Sequence, residues 1–95
     1  MSTQELGTQE LRISVAKLRP ILEGPEQQGY LLLFDEFLDE HEFGLALHCV
    51  CDYLLEPQAP APHPATVERI ALLHSVMQIE DECLKSLHQK AELAG

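Results

Sequence analysis

Tryptophan is absent and only 5% of the 95 residues are aromatic. That excludes a core built on large rings and leaves the interior to Leu, Ile, Val and Ala, which suit packed helices. Cations are also scarce, with six Lys plus Arg against sixteen Asp plus Glu and a formal net charge of -10. Affinity for nucleic acid comes largely from neutralising phosphates with cations, so direct nucleic-acid binding is not expected, nor is docking to an anionic membrane. No apolar run approaches the roughly 20 residues of a membrane span. The opening MSTQELGTQELRIS has no apolar run behind a basic segment, so no signal peptide is expected. The three cysteines are an odd number without a CxxC, which fits free thiols in a reducing cytoplasm. A Gly-rich phosphate loop, a GxSxG and an HExxH are all missing, so no catalytic residue, cofactor or enzymatic activity is expected.

What is present reads as helices. No segment alternates with period two for long enough to be a strand, and the expected fold is all-α: a single domain, 1–95, of four to five packed helices. A first helix, capped by Ser2 or Thr8, carries the stripe Leu11, Val15, Leu18 and Leu22, with a kink or an end near Arg19 because Pro20 follows. Gly24-Pro25 breaks the chain. The second helix runs from about Glu26 to Asp39 on Tyr30, Leu31, Phe34, Phe37 and Leu38, widened by Leu32 and Leu33. The third starts near 40–42 and runs to Leu55, with Ala46, Leu47, Val50 and Leu54 at three- and four-residue spacing. Residues 57–64 form a proline-rich interhelical loop. A fourth helix opens at Thr66 and bends near Gln78, and a last one over Glu80–Leu93 turns Cys83, Leu84, Leu87 and Ala91 to one side.

The candidate site is the acidic turn between the second and third helices. Asp35, Glu36 and Asp39 lie near the end of a helix, where each negative charge is unfavourable by about 0.3–1 kcal/mol. Like charges kept together at a cost point to a surface for Lys or Arg of a basic protein partner. The bland alternative is a solvated turn that keeps a small protein soluble. Asp35, Glu36, Asp39 and Glu40 are therefore the partner-binding candidates, while Glu42 has two readings, a contact with the partner or, favoured here, bonding of free backbone amides at the start of the third helix. His41, His48, Cys49 and Cys51 invite a metal, but two residues on a helix point roughly 200° apart, so Cys49 and Cys51 cannot share one. No metal site is expected, and these cysteines read as buried or half-buried free thiols.

The run Leu38-Asp39-Glu40-His41-Glu42-Phe43-Gly44-Leu45-Ala46-Leu47 resembles the signature of the MafI-type immunity proteins: an acidic or small turn, a Glu, an aromatic, a small residue, then Ala-Leu in a helix. Val67-Glu68-Arg69-Ile70 and Met77-Gln78-Ile79 resemble that family's next helix and its end. The likeness covers about Tyr30–Ile79, and His41 stands where the family pattern has glycine or a similar small residue. The resemblance implies a small bacterial cytosolic protein that stoichiometrically neutralises a cognate polymorphic toxin, with no chemistry of its own. The partner would be a basic toxin domain such as a nuclease. A second expectation from the residues is an acidic helical adaptor or regulatory subunit, homodimeric through the surplus apolar face that Leu31, Leu32 and Leu33 provide.

Overall fold

A computed structural model of the chain describes residues 7–94. It is all-α: helices α1 (Thr8–Ala16), α2 (Gln28–Asp39), α3 (Phe43–Leu54), α4 (Pro64–Met77) and α5 (Cys83–Ala94), with no strand among the described residues. Two tighter 3-10 turns, Arg19–Leu22 and Pro25–Gln27, connect α1 to α2. Each carries its proline in its first positions, where the missing N–H costs nothing. Pro20 thus ends α1 and opens the turn behind it. The cap of α1 is Gly7, without a side-chain bond. Thr8 falls inside the helix, and Ser2 lies outside the described residues.

The core is mainly aliphatic, with Phe34 and Phe43 as its buried rings. Val15, Leu18 and Leu22 enter it from the first segment, Phe34 and Leu38 from α2, Ile70 and Leu73 from α4, and Leu87 from α5. Ala46, Leu47, Val50 and Leu54 are all buried on α3, and α3 packs against α1, α2 and α5. It is the central element. Leu32 and Leu33, expected to widen the α2 stripe, are instead 72% and 47% exposed, and Leu72 on α4 is 59% exposed.

Two helices end in the same way. Past α2, His41 adopts a left-handed φ of 61°, with Glu42 N–H bonded to the Phe37 carbonyl at 2.8 Å and His41 N–H to that of Leu38 at 3.1 Å. Past α4, Gln78 has φ 56°, with Ile79 N–H on the His74 carbonyl at 2.9 Å and Gln78 N–H on that of Ser75 at 3.2 Å. Both are Schellman closures, in which a left-handed residue lets two N–H groups satisfy carbonyls left over by the helix. The helix α4 starts earlier than expected, because Pro64 fits its first turn and the His63 ring nitrogen accepts the Ala65 N–H at 3.2 Å. Lys90 reaches from α5 to the end of α3, donating to the carbonyls of Leu54 at 2.5 Å and Glu56 at 2.8 Å. A cation there satisfies free carbonyls and meets the negative end of the helix dipole.

Candidate partner-binding surface

The acidic turn is built by α2 and the closure behind it. Its four carboxylates do not act as one group. Arg19, from the 3-10 turn after α1, grips Asp35 with two parallel bonds, Nε to Oδ1 at 2.9 Å and Nη2 to Oδ2 at 2.8 Å, and extends Nη1 to Glu23 at 2.6 Å. This fork geometry is the strong form of a carboxylate pair. The bonding to Arg19 holds the Asp35 carboxyl below its ordinary range, against the opposing effect of burial. Arg12 of α1 donates to the Leu38 carbonyl at 2.9 Å and to Asp39 Oδ1 at 3.3 Å. A single arginine thus covers both a free carbonyl at the end of α2 and the acid beside it.

Two of the three arginines in the chain are therefore spent on this helix end. They offset the dipole penalty expected for Asp35 and Asp39, and they leave Asp35 half-buried as an internal anchor. Glu36 and Glu40 differ. Both are exposed, and their carboxylates have no hydrogen-bond or ion-pair partner among the described residues. Residues 32, 36 and 40 are spaced by four, so Leu32, Glu36 and Glu40 follow one line down the outer side of α2. Leu33, 47% exposed, sits beside it. The result is an outward face with two open carboxylates and two uncovered leucines.

No family model, curated protein or solved structure matches the chain.

Glu42 occupies the residue before α3, but its side chain makes no capping bond. Only its carbonyl is used, accepting the Ala46 N–H at 3.0 Å. The expected amide-bonding role of its carboxylate is therefore corrected: that carboxylate is exposed and extends the acidic face.

The cysteines also differ from expectation. Cys49 is a buried free thiol, pushed up in pKa chiefly by burial and secondarily by the charge of Asp52. Cys51, on the other side of α3, is joined to Cys83 at the start of α5, with Cα atoms 6.2 Å apart. Spacing along one helix rightly separates Cys49 from Cys51, but it is silent about neighbours from other helices. A signal was available. Cys51 follows Leu47 by four, Cys83 precedes Leu87 by four, and His74 follows Ile70 by four, so each lies on the buried stripe of its own helix.

Proposed function

We propose that this chain is an immunity protein that binds a cognate bacterial polymorphic toxin domain in the cytoplasm and neutralises it by covering a basic surface. The observation that carries the reading is the outer face of α2, where exposed Leu32 and Leu33 lie beside the open carboxylates of Glu36 and Glu40. Apolar contact supplies affinity at the centre of an interface, while surrounding charge steers encounter and rejects wrong partners. A toxin that cleaves nucleic acid must present a basic cleft to phosphates, and an acidic helix face is its complement. Asp39 and Glu42 extend the charge at the end of the helix. Asp35, held by Arg19, contributes by fixing α2 against the first segment. The resemblance of residues 38–47 to the MafI-type signature supports the same reading.

The alternative of an acidic adaptor or homodimer draws on the same two leucines. A two-fold contact through this face would set Glu36 and Glu40 of one copy near those of the other, and like charges across an interface are costly. A basic partner removes that conflict.

Co-expression with the toxin domain encoded immediately upstream tests the proposal. Rescue of growth is the expected outcome. Cells that die as fast with the protein as without it would overturn the reading.

A further inference from the structure

One buried cluster has no part in the acidic face. Cys51 of α3, His74 of α4 and Cys83 of α5 bring their donor atoms within 4.8 Å of one another, and all three residues are buried. His74 is 5% exposed, and it is the one buried polar side chain among the described residues. Its Nδ1 lies 2.9 Å from the Ile70 carbonyl oxygen, and its Nε2 lies 3.2 Å from Oδ1 of Asp81. Both neighbours are acceptors. A neutral imidazole has a single N–H and satisfies one of them. The other ring nitrogen then faces an acceptor with no proton to share, a position that a bound metal ion would fill.

The surroundings favour the metal. A ring N–H donated to a backbone carbonyl is the usual way a metal-binding histidine is oriented, and it leaves Nε2 as the ligand atom. The carboxylate of Asp81 is fixed in turn by the Cys83 N–H at 3.0 Å. The two sulfurs and the imidazole are three donors of a zinc-type set, which leaves the fourth position for a water.

We propose that Cys51, His74 and Cys83 supply three ligands of a tetrahedral site for a zinc-class divalent ion when the cysteine pair is reduced, with Asp81 beside His74, and that the disulfide is the metal-free form of the same site. Two thiolates and an imidazole are a donor set for zinc rather than for magnesium or calcium, which prefer oxygen. The balance is simple. Two equivalents of a thiol reductant supply two electrons and two protons, break the S–S bond and leave as their own disulfide. The incoming ion then displaces both thiol protons to solvent. His74 lines an open cleft with Ser75, Gln78 and Glu80. In a reducing compartment the disulfide opens, and the ion keeps α3, α4 and α5 tied at the same point.

The test uses the full chain, reduced with a phosphine that offers no thiol ligand and titrated without oxygen with Co2+ and then Zn2+. Expected are one equivalent of cobalt per chain, a sulfur-to-cobalt charge-transfer band with the visible bands of tetrahedral cobalt, and their bleaching by zinc. The oxidised chain should show none of these. Cys49→Ser should keep the spectrum, Asp81→Asn should weaken binding at least about tenfold, and Cys83→Ser should remove the one-equivalent site. If the reduced chain loses helicity before metal is added, recovery on adding zinc supports the site and failure to recover counts against it. A reduced, folded wild-type chain without the tetrahedral spectrum overturns the proposal, as does a spectrum that survives Cys51→Ser combined with Cys83→Ser.

Discussion

His41 holds a conformation that its side chain disfavours. The closure of α2 needs a left-handed residue at that point, and a Cβ there costs roughly 1 kcal/mol or more relative to glycine. Replacing His41 with Gly is expected to stabilise the fold by about 0.5–1 kcal/mol, allowing for the flexibility glycine adds to the unfolded chain. The readout is a higher denaturant midpoint at unchanged slope. A lower midpoint would mean that the contact of the His41 ring with Phe43, centroids 5.7 Å apart, outweighs the backbone strain. Tyr30 offers a second residue-scale test. Its hydroxyl donates to the Glu56 carboxylate, and this bond, followed by burial, raises its pKa from 10.0 to about 12. The folded state therefore holds that proton more tightly than the unfolded chain. The associated stability is complete below pH 10 and is lost as pH rises toward 12. An ultraviolet titration of Tyr53→Phe, which leaves Tyr30 as the sole phenol, should show the late midpoint. An ordinary midpoint would contradict the bond.

Among the elements, α2 depends on cations brought from the segment before it. Arg19→Gln should lower stability at neutral pH, and the difference should shrink in acid. The sign follows from Asp35: its folded pKa lies below the ordinary 3.8, so the pair contributes above that value and the contribution fades as pH falls through the folded one. Denaturation of both proteins across an acid series measures it, and a difference that persisted in strong acid would have to come from lost packing instead. The elements themselves were legible in the sequence because their signals are local. The α3 stripe, Pro20, Gly24-Pro25, the proline-rich loop and the break near Gln78 each act within a few residues. The open carboxylates of Glu36 and Glu40 were named among four candidates, but sequence could not sort those four. What sorts them is Arg12, 27 residues from Asp39, and Arg19, 16 residues from Asp35. The cluster of Cys51, His74 and Cys83 was hidden for the same reason, since helical spacing relates residues on one helix and says nothing of which buried faces meet.

At the scale of the molecule, the Cys51–Cys83 link ties the central helix to the last one across 32 residues. A closed loop of that length is worth about 3–4 kcal/mol in the chain-entropy account of disulfides. Reduction in the presence of a chelator should lower the denaturant midpoint accordingly, and an unchanged midpoint would show that packing alone holds α5. The net charge of -10 works in a different way. It adds self-repulsion to the fold and gives the chain a long-range field of the sign that attracts basic surfaces. The affinity of the purified chain for the toxin domain proposed as its partner, across a salt series, tests the proposal most directly, with wild type compared against Glu36→Lys combined with Glu40→Lys. Wild-type binding should weaken as salt rises, and the double variant should bind at least about tenfold less tightly with most of the salt dependence gone. Equal affinity for the two proteins at every salt concentration would contradict the role given to the outer face of α2.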